Sequence, residues 1–246
     1  MAAPNKMRIL KTRSNYLERK ASKNLLLGML FLIPFLVLLI TSIDILPFYI
    51  DLGRYETSRG LLLGLLFILG SLFLMYPYRK YTSGLIGEKK VSTIFSETLG
   101  EEYSLQDDVT LDNMGRGNID HIVVGPTGVF AIETKNNKGK ISCYGDNWEG
   151  VDGQPSRQVR INAVKIRKIL DISESFKPRA PYVQGVVVFA DNRAEFIERK
   201  PPENVKVVRI DGLADFIMNS LGKLSPREVE SIEKVIQENT RSNSTD

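Results

Sequence analysis

The sequence predicts a mixed α/β domain preceded by a two-helix transmembrane hairpin, on three observations. Two long uncharged apolar runs lie near the N-terminus. A β-rich hairpin with a Gly-Pro-Thr-Gly turn lies mid-chain. Helical and strand periodicities then alternate to the C-terminus, as layered α/β domains require.

Residues 1–23 read as a basic tail, since residues 1–24 hold seven Lys or Arg and one acid. No charged residue occurs over 24–43 or 60–78. About 20 helical residues span the roughly 30 Å hydrocarbon core of a bilayer, so each run is read as a transmembrane helix. Pro34, inside the first run, is tolerated in such helices. The first run is long for a signal-peptide core, and no small-x-small cleavage site follows it. Lys11, Arg13, Arg19, Lys20 and Lys23 precede the first run, and Arg79 and Lys80 follow the second. Positive charge flanks cytoplasmic ends, so both termini and the soluble domain are expected on the cytoplasmic side of the cell membrane, with the short loop outside.

The soluble domain is expected over 79–239. Ile86, Val91, Ile94, Phe95 and Leu99 recur at helical spacing and predict a helix over 85–99, stopped by Gly100. Strands are predicted over 109–111, 118–124, 129–135 and 139–144, and a helix over 156–170. The apolar run 183–190 reads as a buried central strand. A short strand over 205–210 and helices over 213–221 and 226–238 complete the domain. Ser225, Pro226 and Glu228 form a helix-start signature with a capping box. Residues 240–246 are polar and expected to be disordered.

The net charge of +4 resides in the N-terminal tail. From Arg79 onward there are 24 bases and 25 acids, so overall basicity is no argument for nucleic-acid binding. The single cysteine, Cys143, excludes an internal disulfide and a multi-cysteine zinc site.

The hairpin over 118–135 carries the chemistry. If Gly125 and Gly128 close a two-residue loop, Asp120 falls opposite Glu133 and Asn118 opposite Lys135. Alternation then puts Asp120, Glu133 and Lys135 on one face, and Val123, Phe130 and Ile132 on the other. A three-residue loop with a bulge would shift that register. Two facing carboxylates repel, and a bridging Mg²⁺ or Mn²⁺ removes the repulsion. Lys135 would position a water or take its proton, which with a metal is the geometry of phosphodiester hydrolysis. The only histidine, His121, falls on the opposite face and reads as a packed residue; a one-residue slip would reverse that.

The string Gly117-Asn118-Ile119-Asp120-His121-Ile122-Val123-Val124-Gly125-Pro126-Thr127-Gly128-Val129-Phe130-Ala131-Ile132-Glu133-Thr134-Lys135 resembles the core of the nuclease-related domain (NERD) family, of the PD-(D/E)xK nuclease superfamily. Gly87-Glu88, Gly139-Lys140-Ile141, Trp148, Pro155-x-x-Gln158 and Asn162 extend the resemblance over 85–190. It implies a restriction-endonuclease-like mixed central sheet flanked by helices. It further implies Asp120 and Glu133 as metal ligands and Lys135 as the water-handling residue. Glu88 and Gln158 would reach the site from the first and second helices. Gln154 stands where the family often has Asn.

Arg157, Arg160, Lys165, Arg167 and Lys168 follow on one helix with no acid before Asp171. Arg157, Arg160 and Lys165 are candidates for holding phosphates, against the plainer reading of a solvated face. Trp148 could stack on a base, but a core or lid role fits it better. Together these features point to a membrane-anchored, metal-dependent nuclease acting on DNA or RNA, with the lipid bilayer as its other partner. The competing reading is a non-catalytic nuclease-like binding or signalling module. A hydrolase of another phosphate ester is a third, since fold does not fix chemistry.

Overall fold

The computed structural model describes residues 7–11, 16–42, 57–112, 114–115, 117–176 and 180–240; the side chains of 11, 16–20, 35, 37–42 and 57–63 lie outside that description. The chain divides into two compact units, one formed by residues 1–14 and 86–246 and the other by 15–85.

The larger unit holds β1 (Arg8–Lys11). The chain then forms α1 (Tyr16–Ser42) and α2 (Thr57–Thr98), whose last part belongs to the larger unit. There follow β2 (Ser104–Val109), β3 (Ile119–Gly125), β4 (Gly128–Lys135), β5 (Gly139–Tyr144), β6 (Asn147–Glu149) and α3 (Pro155–Ile172). The unit ends with β7 (Val183–Phe189), β8 (Ala194–Lys200), β9 (Val205–Arg209), α4 (Leu213–Met218) and α5 (Pro226–Glu238).

The central sheet has six strands in the order β1-β2-β3-β4-β7-β9. β2, β3 and β4 form an antiparallel meander, while β4, β7 and β9 run parallel, so the sheet is mixed as expected. A smaller sheet, β6-β5-β8, stands beside it. Helices cover both faces of the central sheet. On one face Val159, Ile166 and Leu170 of α3 and Ile232 of α5 bury Ile122, Val124, Ala131 and Val187. On the other, Val91 and Phe95 of α2, Leu99 just past its end and Leu213 of α4 bury Leu105, Val123, Phe130 and Ile132. Strands buried on both faces are apolar throughout, which is why the run ending at Phe189 is legible as a central strand.

Several boundaries differ from expectation. The strand expected over 109–111 is β2, which ends where that strand was expected to begin, and Leu111 makes only an isolated bridge to Thr240. β8 and β6 were not expected. Residues 8–11, assigned to a basic tail, are an edge strand parallel to β2. Met7 is buried, Arg8 N–H donates to Tyr103 O, and the Arg8 guanidinium pairs with Glu233 of α5 at 2.7 Å. α5 starts as predicted: Ser225 Oγ accepts from Glu228 N–H, and the Glu228 carboxylate accepts from Ser225 N–H. The tail over 241–246 lies outside the described residues.

The smaller unit is a pair of helical segments joined at small residues. Ser71 Oγ donates to Gly28 O at 3.0 Å. A Cβ on Gly28 would come 2.3 Å from Met75 Cγ, so only glycine permits the approach. Leu26, Leu30, Ile33, Leu65, Leu72 and Phe73 are exposed around this contact. Among the described residues, no helix is long and apolar enough to cross a membrane. The predicted spans 24–43 and 60–78 lie partly outside the described side chains.

Glu233 keeps only 7% of its side chain exposed, so removing Arg8 leaves a buried carboxylate without its cation. Arg8→Ala is expected to destabilise the full chain by about 1–3 kcal/mol, read as a lower unfolding midpoint. An unchanged midpoint would mean that β1 adds nothing to the domain.

Candidate functional site

The turn between β3 and β4 is the two-residue loop that the sequence predicts: Gly125 pairs with Gly128, and pairing runs back to His121 with Ile132. Gly128 has φ +137, a conformation open to glycine. Carried one step further, that register sets Asp120 opposite Glu133. Both lie on the face covered by α3, the face of Ile122 and Ala131.

The structure brings Asp120, Glu133 and Lys135 together. Asp120 Oδ2 accepts from Thr134 N–H at 2.7 Å. Lys135 Nζ donates to Glu133 Oε1 at 2.6 Å. Glu133 Oε2 is buried and has no partner among the described residues. Burial, and then the neighbouring Asp120 carboxyl, push Glu133 up to about 8 against the pull of Lys135. Burial also raises Asp120, opposed by His121, the Thr134 N–H and Lys135 and reinforced by Asp108.

Glu88 approaches from α2, where Gly87 lies so close to the end of β4 that a Cβ there would come 2.8 Å from Asn136 Cβ. The Glu88 carboxylate adds a smaller upward push on Glu133. Gln158 is exposed on α3, and among the described residues no hydrogen bond joins its side chain to the carboxylates. Asn162 of α3 turns inward, 4% exposed, with Nδ2 lacking a partner among the described residues.

The three basic candidates diverge. Arg160 holds Asp146 through two hydrogen bonds, at 3.0 and 2.8 Å, and also donates to Glu203 O. It ties α3 to the loop before β6. Arg157 is exposed and Lys165 half-buried. Trp148 stacks on Phe196 at 6.0 Å and donates to Ser156 Oγ, which makes it a core residue joining the small sheet to α3.

Two features escaped the sequence reading. Asp108, at φ +51 on β2, is buried beside Asp120 and accepts from Asn118 Nδ2. The register that pairs Asp107 with His121 and Val109 with Ile119 sets it opposite Asp120, and it went unseen because the strand was expected to begin at 109. On the opposite face, His121 is 1% exposed and bonded at both nitrogens, to Asp107 Oδ1 at 2.7 Å and to Thr134 Oγ1 at 3.1 Å. Ser92 Oγ of α2 donates to Asp107 Oδ2. This chain crosses α2, β2, β3 and β4 and ends on the residue between Glu133 and Lys135.

The donor set suits a hard divalent cation. Mg²⁺ is ordinarily held by one or two carboxylates plus water and substrate phosphates. Two raised carboxyls and an unpartnered buried oxygen match that demand. Among the described residues, no group of three or more His, Cys, Asp or Glu is placed to hold a metal.

The model of the nuclease-related domain family matches residues 83–190, which span Gly87 and Glu88 of α2, the hairpin and α3. A search of curated proteins finds no match. Among solved structures, SfsA of Pyrococcus furiosus in complex with Ca²⁺ is similar at 13% identity and a TM-score of 0.27, over 65% of this chain and 54% of that one. This chain therefore spans about half of that protein's length.

Between pH 4.5 and about 8, the folded chain holds a proton on Glu133 that the unfolded chain releases. Metal-free stability should therefore fall as pH rises through this window, and Glu133→Gln should flatten the fall. Denaturant unfolding at several pH values, in chelator, reads both. A wild-type slope that Glu133→Gln leaves unchanged would assign the titration elsewhere. Thr134→Val keeps the shape but removes the hydroxyl facing His121, and is expected to cost about 0.5–1.5 kcal/mol. Thr134→Ser should recover most of it in the same measurement.

Proposed function

We propose that the chain is a membrane-anchored nuclease-like protein that hydrolyses phosphodiester bonds of nucleic acid, using Mg²⁺ or Mn²⁺ held by Asp120 and Glu133. The observation that carries this reading is half-buried Asp120 set opposite buried Glu133, with Lys135 on Glu133 at 2.6 Å. The family match over 83–190 supports the nuclease-like part.

Bound there, the cation would supply Lewis-acid stabilisation of the phosphate and an activated water. The chain's own residues do the remainder. Thr134 N–H fixes one oxygen of Asp120, leaving the other for coordination. Lys135 donates to Glu133 Oε1 when no cation is present, and beside a substrate its ammonium can turn to a phosphate oxygen or a water. Asp107 and His121, through Thr134, hold the end of β4 at a fixed height, so both carboxyls are set before ligand arrives.

The membrane part of the reading rests on the uncharged runs, on the exposed apolar side chains of 15–85, and on the Ser71–Gly28 contact. β1 precedes the first run and β2 follows the second, yet the two are hydrogen-bonded neighbours. A chain that leaves and rejoins one sheet crosses a bilayer an even number of times. Two spans satisfy that, and flanking basic residues favour the cytoplasmic side for the sheet.

One observation favours the non-catalytic alternative: no third acid joins Asp120 and Glu133 as a metal group among the described residues. Cleavage assays with the full chain on single- and double-stranded DNA and RNA decide between them. Cleavage should require Mg²⁺ or Mn²⁺ and fall to background in Glu133→Gln. If the folded wild type cleaves none of these substrates and calorimetry detects no Mn²⁺ binding, the catalytic reading fails.

A further inference from the structure

A cleft of about 520 Å³ opens at the carboxyl ends of β7 and β9, against the last part of α2. Crevices outside the carboxyl ends of parallel strands are where α/β sheets take ligands. Its walls combine aliphatic surface from Ile86, Ile94 and Ile210 with the ammonium groups of Lys89 and Lys90 and the amide of Asn192. Ile86 is 53% exposed, an apolar side chain left open beside two exposed cations.

This cleft adjoins the carboxylate pair along two chain segments. Glu88, which acts on Glu133, is followed directly by Lys89 and Lys90 on α2. On the sheet, Ala190 N–H donates to Lys135 O at 2.8 Å, and Ala190 lines the cleft. Lys90 Nζ reaches Ala190 O at 3.5 Å. The acids nearby are already answered: Asp211 lies 3.5 Å from Arg209 Nε, and Asp191 is held by Arg193 at 2.8 Å. The cleft therefore presents net positive charge over an apolar floor.

The geometry points to a binding site for a nucleotide that flanks the scissile phosphate of a single strand. Its phosphate lies on Lys89 and Lys90, and its sugar or base on Ile86 and Ile94. The inference rests on the nuclease reading for its substrate class. A flexible single strand suits it because the floor is aliphatic and reads no base edge, and the cations track the backbone. It also gives Lys89 and Lys90 a task that the helix itself does not need, since Val91 and Phe95 bury the opposite side of α2.

The test measures binding of a labelled single-stranded oligonucleotide to the full chain across a salt series, with cleavage followed in parallel. Lys89→Ala/Lys90→Ala should weaken binding about 10-fold and make the log–log salt slope shallower by about 0.7, the value for one phosphate neutralised on a single strand. Lys89→Arg/Lys90→Arg should restore both, because the phosphate requires charge. Both lysines are exposed, so neither variant threatens the fold. Wild-type binding without cleavage in any metal, with the slope still lost in the alanine variant, would sink the nuclease reading and leave the cleft as a single-strand binding site with no scissile phosphate beside it. Cleavage with an unchanged slope in the alanine variant would do the reverse. No oligonucleotide binding by the wild type overturns the inference. So does a variant that keeps the oligonucleotide and loses a short-chain phosphatidylglycerol, which would assign the cleft to the membrane surface.

Discussion

Asp120 and Glu133 meet because the turn between Gly125 and Gly128 admits one pairing of β3 with β4. The turn is pinned from two sides. The ring of Tyr103 lies where a Cβ on Gly125 would be, 2.1 Å from that position, and the Tyr103 hydroxyl reaches Thr127 Oγ1 at 3.2 Å. Leu224 N–H donates to Pro126 O. A slip of one residue would turn Glu133 toward Phe95 and Leu105 and drive Ile132 against α3, exchanging the faces of both strands. The register is thus paid for by the apolar cores on both faces, and the position of the carboxylates is a by-product of that packing.

The same packing creates the electrostatic tension. A carboxyl sharing the helix-covered face with Val129 and Ala131 loses water, and a second carboxyl opposite adds repulsion. Lys135 relieves part of it at one oxygen and leaves the other without a partner. A proton or a cation can complete the arrangement, and the two compete for the same oxygens, so affinity for a cation rises as protons leave. On the far side of the sheet every ring nitrogen and carboxylate oxygen of His121 and Asp107 has a bond. One face is saturated and rigid and the other is left unsaturated, a division expected where a ligand is to be bound.

How much was legible follows from where each signal resides. The hairpin, its loop length and its faces could be read because alternation and glycine placement are local. β5 and α5 were placed to the residue, because each begins at a sharp breaker or cap. β8 was not foreseen: Ala194–Lys200 reads Ala-Glu-Phe-Ile-Glu-Arg-Lys, and its residues past Ala194 are partly or fully exposed, so no apolar pattern marks it. β1 lay hidden in a basic stretch because Arg8 is held by Glu233, a partner 225 residues away. Arg160 read as part of a cationic helix face, and the loop carboxylate of Asp146 that claims it could not be inferred from spacing. Asn162 and Gln158 lie one turn apart, yet only Asn162 is buried, a distinction that depends on how α3 lies on the sheet. Local chemistry thus announced the carboxylate pair, while residues that act through distant partners became visible only in three dimensions.

The placement of β1 changes what the apolar residues are to the domain. A hairpin preceding a domain would be an appendage, removable at residue 79. With Arg8–Lys11 in the sheet, residues 15–85 are an insertion between the first strand and the rest of the fold. An edge strand of four residues, with a register shift after Ile9, is a weak element by itself. It is held by the Arg8–Glu233 pair and by Met7, both on the larger unit. A fragment beginning at 79 would lack β1 and leave the edge of β2 bare.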